Sequence, residues 1–226
     1  MSKKIMLLAL AVVSAAAFAL PSMAMAAEED IAVHVVPQPA NGSPISGGVA
    51  TLQTKSGTTV TCKEVTGNVT SWESTTTGKI TLTFKNDCTE SVFHSSCGEI
   101  MTTELQFHLV TVVDKTTGEK KPGILITSNA GHFATFTCGG GLLKVVVNGN
   151  GILGEISAPA CGKSSTTSTL KFAQTSGVQT YQTVDGTPNT EYHLTSSLNG
   201  GAAEEAGQSG EGTVSFGTTA ETLECT

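Results

Sequence analysis

The feature that most constrains the fold is the strict alternation of apolar and polar residues at the start of segment 79–97, KITLTFKNDCTESVFHSSC. Ile80, Leu82 and Phe84 alternate with threonine and lysine, so a β-strand here places all three apolar side chains on one face. The Asn-Asp dipeptide that follows favours a turn. Two cysteines bracket the loop after it. The segment therefore predicts a half-buried strand followed by a disulfide-stabilised loop, and no catalytic group.

Similar segments recur at a spacing of roughly 8–12 residues, separated by turns that contain Gly, Pro or Asn. They are rich in Thr and Val, which suit pleated, half-exposed surfaces. One short segment, 198–207, has a composition compatible with a helix, although a loop or an edge strand fits it equally well. The sequence predicts an all-β fold, a β-sandwich or a Greek-key-like barrel with disulfides, preceded by a signal peptide. The main predicted strands are 31–36, 49–54, 58–62, 65–72, 79–85, 104–114, 123–128, 132–138, 142–147, 152–157, 169–175, 213–216 and 222–225.

The N-terminus has the three parts of a secretory signal peptide. Lys3 and Lys4 precede an apolar run, residues 5–20, and Ala-Met-Ala at positions 24–26 matches the small-residue cleavage pattern. The apolar run is shorter than the roughly 20 residues that a membrane-spanning helix needs. We expect residues 1–26 to be removed, 27–47 to form an N-terminal strand and a Pro-rich linker, and 48–226 to form a single all-β domain.

The charge of the chain argues against two classes of partner. The net charge is −7, and loss of the predicted signal peptide removes two lysines and no acidic residue. Nucleic-acid binding requires basic patches, and adhesion to anionic membranes requires clustered Lys and Arg. We therefore expect no nucleic-acid partner, and no membrane span after signal cleavage.

All six cysteines follow the predicted signal peptide, which in an exported chain indicates three disulfides. No CxxC pair occurs, so the spacing of a thiolate zinc site is missing and no metal is expected. Six cysteines allow fifteen pairings, and the sequence does not choose among them. The expected set is Cys88–Cys97 as a local bridge, Cys62–Cys138 between core strands, and Cys161–Cys225 at the C-terminus.

Two glycine motifs resemble catalytic or cofactor sequences without their context. Residues 149–154 match GxGxxG, but the helix that a dinucleotide site requires does not follow, so a hairpin turn or a bulge is the better interpretation. Residues 207–210, GQSG, resemble a nucleophile elbow but lack the GxSxG pattern. We therefore expect no catalytic residue and no cofactor. The five histidines are scattered singly, at positions 34, 94, 108, 132 and 193; His94 would be a ligand only if Cys97 were free.

The remaining candidates are surface features. The acidic clusters 28–30 and 204–205 lack a calcium-loop pattern, so solvated charge is expected. Asn41 and Asn68 lie in N-glycosylation sequons, which matter only in a host that glycosylates. Trp72, Tyr181 and Tyr192 would stack on sugars if they were exposed together on one face, whereas core packing is the default for so few aromatic residues.

Three runs give the chain a family resemblance: GKITLTF at 78–84 with the two cysteines that follow, FATFTCG at 133–139, and SSLNGG at 196–201. The pattern resembles a multi-copy family of uncharacterised secreted β-rich proteins of soil actinobacteria, over roughly residues 50–216. The resemblance implies a secreted all-β domain without an assigned activity, and it supplies no catalytic residues. Cys161 and Cys225 look like additions to the family pattern, which supports pairing them.

The sequence favours a secreted, non-catalytic structural or binding β-domain at the cell envelope or in the extracellular space. Its expected partners are cell-wall or extracellular polysaccharide, or another envelope protein. One alternative is an extracellular polysaccharide-binding module, and a second is a secreted hydrolase.

Overall fold

The computed structural model describes residues 32–183 and 192–226, which are built almost entirely of β-strands. The predicted signal peptide and the acidic cluster 28–30 lie outside the described residues. The strands are β1 (Val33–Val36), β2 (Ser43–Thr54), β3 (Thr59–Cys62), β4 (Glu64–Trp72), β5 (Thr77–Lys85), β6 (Thr89–Glu90), β7 (Ile100–Met101), β8 (Leu105–Asp114), β9 (Lys120–Ser128), β10 (Ala134–Cys138), β11 (Leu143–Gly149), β12 (Ile152–Ala158), β13 (Lys163–Ser165), β14 (Thr167–Phe172), β15 (Gln174–Thr175), β16 (Val178–Gln179), β17 (Tyr181–Thr183), β18 (Leu194–Leu198), β19 (Glu204–Ser215) and β20 (Glu221–Cys225), with one 3₁₀ turn at Gly139–Gly141.

Eight of these strands close into an antiparallel barrel, in the order β2, β4, β5, β8, β9, β12, β14 and β19. The ring closes where β19 pairs with β2, from Ala206 opposite Thr54 to Val214 opposite Ile45. Neighbours around the ring follow one another in chain order, and closure leaves the ring without an unpaired edge. The prediction of an all-β sandwich or barrel is confirmed, and the ring order is that of an up-and-down barrel, without a Greek-key crossover.

The two strands at the closure, β2 and β19, are twelve residues long and continue beyond the ring. The second half of β2 pairs with β3, and the first half of β19 pairs with β18. Strands β3, β6, β7, β10, β11 and β18 form an extension of the barrel, and its two sides meet where Thr102 of the chain after β7 bridges Ala134. Of the interpretations open for segment 198–207, the structure shows the strand, because residues 204–207 belong to β19 and pair with β18 and β2.

Strand β8 is buried on both faces, which explains why its sequence does not alternate cleanly. Leu105 and Phe107 face the barrel interior, whereas Val112 belongs to a second apolar cluster with Leu125 and Tyr181. Strand β17 pairs along β8 and brings Tyr181 over this outer face. Side chains on both faces of β8 therefore have apolar neighbours.

The N-terminal segment is tied to the fold more closely than the sequence predicted. Strand β1 pairs with β20 in a small sheet whose Val33 and Val35 enter the main core. Strand β2 begins at Ser43, so residues 43–47, expected in the linker, are paired with β4 and lie in the barrel. Pro44 is tolerated because it stands next to the first residue of the strand. The Pro-rich connection is thus limited to residues 37–42.

All six cysteines form disulfides, but two of the three expected pairings are wrong. The bonds are Cys62–Cys88, Cys97–Cys138 and Cys161–Cys225, and only the last was expected. Cys88 and Cys97 do meet through their backbones, because the Cys97 N–H donates to the Cys88 carbonyl at 2.8 Å. Their side chains bond instead to β3 and β10. Segment 88–97 is therefore fastened at each end to a different part of the extension.

Nothing helical in residues 32–183 and 192–226 has the length and apolar character of a membrane-spanning segment.

Loss of the bond between the C-terminal strand and the turn before β13 should destabilise the protein strongly. The double variant Cys161→Ala/Cys225→Ala opens a loop with a sequence separation of 64. We expect its free energy of unfolding to fall by about 4 kcal/mol, on a loop-entropy estimate. Urea denaturation measures the loss. Peptide mapping without reductant checks the connectivity, and a fragment that links Cys88 to Cys97 would contradict it.

Candidate functional site

The interior of the barrel contains an apolar cavity of about 80 Å³ where the ring meets the extension. Strand β5 contributes Leu82 and Phe84, β2 contributes Ala50 and Leu52, and β14 contributes Phe172. These residues face inward because side chains in a strand alternate between its two faces. The cavity walls are apolar except for Thr102 and Gln208. A concave, mostly apolar space with few polar groups is the usual form of a small-molecule site.

Two further cavities, each of about 40 Å³, continue this space along the barrel. The middle cavity shares Leu82 and Phe172 with the large one, and it shares Ile80 and Leu170 with the cavity at the far end. Because common side chains form the walls between them, the three cavities lie in a row inside the ring. We call this row the interior channel.

The inward-facing side chains become more accessible towards the large cavity. On β5, Ile80 is 3% exposed, whereas Leu82 and Phe84 on the same face are half-buried. On β14, Leu170 is buried and Phe172 is half-buried. Native cores are close-packed, with few voids that admit water. The large cavity therefore departs from the close packing of a native core, because its inward-facing side chains leave space between them.

A glycine in β12 makes room for one wall of the channel. A Cβ added at Gly154 would lie only 2.7 Å from Cε1 of Phe172. The Phe172 ring therefore packs directly against the backbone of β12. Any larger residue at position 154 would occupy the space that the ring fills. Residues 149–154, the GxGxxG match, belong to this wall and to the corner before it. The hairpin interpretation is wrong in detail, since β11 and β12 do not pair with each other.

The large cavity has two polar side chains in its wall, Thr102 and Gln208, and they differ in their hydrogen bonding. The Thr102 hydroxyl accepts the Leu82 N–H at 3.0 Å, so it has a hydrogen-bond partner in the barrel wall. Gln208 lines both the large and the middle cavity, and its carboxamide makes no hydrogen bond to any residue of 32–183 or 192–226. Sequence reasoning missed Gln208. The alternation of Ala206, Gln208 and Gly210 within a strand would have been the signal, but the composition around it allowed a helix.

The three aromatic residues do not form the exposed platform that sugar stacking requires. Trp72 is buried against Phe107, with ring centroids 4.9 Å apart in an edge-to-face arrangement. Tyr181 is buried in the second cluster, where Tyr192 packs half-buried against it. Trp72 and Tyr181 thus belong to separate cores, as the default of core packing predicted. The Trp72 indole N–H is buried without a hydrogen-bond partner among the described residues, and Trp72 lines the far end of the channel.

The catalytic candidates are held in other roles. Ser209 of the GQSG motif pairs with Thr51 in the middle of β19, so the motif forms no elbow. His94 occupies a turn with φ of 54°, and Cys97 is oxidised, so the condition for ligation by this pair is not met. His34 contacts the Glu224 carboxylate at 2.9 Å. The described part of the chain holds no group of three or more His, Cys, Asp or Glu residues placed to bind a metal.

The other polar candidates are surface or structural groups. Glu204 accepts a hydrogen bond from Ser56, and Glu205 lies 3.5 Å from Lys55 in an exposed ion pair. The side-chain oxygen of Asn41 accepts the backbone N–H of Trp72 at 2.7 Å, which fixes the start of β2 against the end of β4. Asn68 is exposed on β4.

The turn after β6 is built around a buried carboxylate. Glu90 is 3% exposed, and its two oxygens accept the N–H groups of Val92, Phe93 and Ser95 and the Ser95 hydroxyl. Burial raises the pKa of Glu90, but these hydrogen bonds lower it by more, so the pKa lies below its usual value. The turn points Phe93 outward, 69% exposed, beside the 3₁₀ turn that carries Leu142, 80% exposed. This end of the extension therefore exposes apolar side chains, Phe93 and Leu142 more than Val92.

Glu90 should stabilise the protein at neutral pH and lose that effect in acid. Because its folded pKa is below the unfolded value of 4.5, its contribution is complete above that value and fades as the pH falls through the folded pKa. Glu90→Gln places an amide NH₂ among backbone donors, which should cost about 1–3 kcal/mol at pH 7. Urea denaturation should show a smaller difference from wild type at pH 3. An equal difference at both pH values would contradict this role.

Glu221 should behave in the opposite way. It is buried, one carboxyl oxygen has no hydrogen-bond partner within the described residues, and burial raises its pKa. The folded state therefore holds this proton more tightly, and stability is lost as the pH rises above the unfolded value of 4.5. Glu221→Gln removes the buried charge. We expect its unfolding midpoint in urea to exceed that of wild type at pH 7 and to match it near pH 4; a lower midpoint at pH 7 would contradict the assignment.

Comparison of the chain with protein-family models, curated proteins and solved structures found no match. The resemblance to the secreted actinobacterial family stays a prediction.

Proposed function

We propose that the protein is an exported, non-catalytic binding module whose site is the interior channel, and that its ligand is a small apolar molecule. The observation that carries this proposal is the row of three apolar cavities inside the closed ring. Apolar surface that faces a cavity lacks packing partners, and an apolar ligand supplies them.

The dimensions of the channel favour a narrow, flexible ligand over a compact ring. The largest cavity, about 80 Å³, is smaller than the ~150 Å³ engineered cavity that admits benzene. The smaller cavities are about 40 Å³ each. A short hydrocarbon chain fits a row of narrow cavities because it can bend between them. The proposed ligand class is therefore a linear apolar chain, or the end of one.

The disulfides support the proposed location. Three disulfides are typical of a protein that matures in an oxidising compartment. Together with the predicted signal peptide, they favour secretion, to the cell envelope or the extracellular space. A secreted hydrolase would need a nucleophile with a base beside it. Ser209, the residue that most resembled a nucleophile, lies within a paired strand, so binding is the better-supported proposal.

Filling the large cavity with a leucine side chain should abolish ligand binding, whereas a leucine introduced on the outer face of the same strand should not. Ala50 lines the cavity, and Val49, the preceding residue of β2, is 58% exposed. Ala50→Leu is the test and Val49→Leu is its matched control. In titrations with n-hexane, the methyl NMR signals of Leu52 and Leu82 should shift in wild type and in the control, and should stay fixed in Ala50→Leu.

Added bulk in a packed core costs about 1–3 kcal/mol, so folding of Ala50→Leu is checked by its NMR spectrum. Ala134→Leu fills the same cavity from β10 and serves as the second test. The absence of hexane-dependent shifts in the wild-type cavity methyls would overturn the proposal, as would unchanged shifts in a folded Ala50→Leu or Ala134→Leu.

A further inference from the structure

We infer that the ligand of the channel is a neutral amphiphile, a short chain with one hydrogen-bonding group such as an alcohol, and that Gln208 holds that group. The inference rests on the proposed function and specifies the chemistry of the same site. It starts from the position of a single side chain in β19.

The register of the barrel places Gln208 on the inner face. Gln208 pairs with Leu52 of β2, and Leu52 pairs with Val60 of β3. Directly paired residues in an antiparallel sheet project from the same face. All three side chains line the large cavity, and Gln208 also lines the middle one. Its carboxamide therefore stands at the junction of the two cavities.

Gln174 and Gln179 show how a glutamine carboxamide in a partly or fully buried position is satisfied in this barrel, and Gln208 differs from both. The Gln179 carboxamide accepts the Leu153 N–H at 2.8 Å and donates to the Gly151 carbonyl. Gln174 donates to Gln53 at 2.7 Å. Gln208 has no such partner in the described part of the chain, although it remains half-buried and accessible. A polar group in an apolar interior costs free energy unless it is hydrogen-bonded, so Gln208 is available to a ligand atom.

The charge of the lining selects a neutral ligand. Among the described residues around the three cavities there is no Lys, Arg or His, and the only ionisable one, Glu211, is acidic. A carboxylate or phosphate held beside Gln208 would be buried without a counter-charge, which is strongly unfavourable. A carboxamide offers one acceptor and two donors, so it pairs well with a hydroxyl or an amide. The apolar cavities on either side of Gln208 take the hydrocarbon part.

Three six-carbon ligands separate the contributions of apolar contact, of the Gln208 hydrogen bond and of ligand charge. They are hexan-1-ol, n-hexane and hexanoate. Binding to the intact mature protein is followed at pH 7 by the methyl NMR shifts of Leu52 and Leu82. The test variant is Gln208→Leu, which keeps the approximate volume and removes the carboxamide. The matched control is Ser209→Ala, the next residue of β19 on its opposite face.

We expect wild type and Ser209→Ala to bind hexan-1-ol more tightly than Gln208→Leu by about three- to ten-fold, the value of one neutral hydrogen bond. Hexane should bind Gln208→Leu at least as tightly as wild type, and hexanoate should bind wild type more weakly than hexan-1-ol does. An unchanged affinity for hexan-1-ol in Gln208→Leu, or tighter binding of hexanoate than of hexan-1-ol, would overturn the inference.

The two proposals fail differently in this experiment. If none of the three ligands shifts the wild-type cavity methyls, the channel is not a binding site and the proposed function itself fails. If hexane binds while hexan-1-ol binds wild type and Gln208→Leu equally, the binding module stands and only the role of Gln208 is lost. A fall in affinity for both hexane and hexan-1-ol in Gln208→Leu would mark a packing defect and would also overturn the assigned hydrogen bond.

Discussion

The pairing of β19 with β2 is the contact on which the rest of the structure depends. It joins the penultimate strand of the chain to the first strand of the barrel, and it turns an open eight-stranded sheet into a ring. Because both strands are longer than the ring needs, their free halves recruit the extension on either side. Closure thereby creates the enclosed interior and also sets the end at which that interior widens.

A closed ring of eight strands has an interior of nearly fixed width, which side chains must fill. Near Trp72 large aromatic rings pack against one another and leave a cavity of only about 40 Å³. Towards the extension, small residues such as Ala50 and Ala134 stand opposite half-buried Leu and Phe side chains, and a cavity remains. Such a void forgoes dispersion contacts. A barrel that keeps this space, with one unpartnered carboxamide at its wall, has the features expected of the proposed binding module.

The alternation of Ile80, Leu82 and Phe84 was sufficient to predict β5 and its inward face, because period-2 burial is a local property. The mixed pattern of β8 has a cause of the same kind, because this strand is buried on both faces. The disulfide partners were not predictable: Cys88 and Cys97 are close in the backbone, and only the long-range register sends their side chains to β3 and β10. Gln208 could be identified as a candidate binding residue only from the register of β19 with β2, which places its side chain inside the ring.

The order of the disulfides along the chain has a consequence for biosynthesis. Each cysteine bonds to the next one in sequence: Cys62 to Cys88, Cys97 to Cys138, and Cys161 to Cys225. A polypeptide delivered N-terminus first into an oxidising space therefore offers every thiol its correct mate before a competing thiol arrives. Ring closure, which waits for β19, comes after two of the three cross-links have become possible. The connectivity suits vectorial maturation, with little demand for reshuffling by an isomerase.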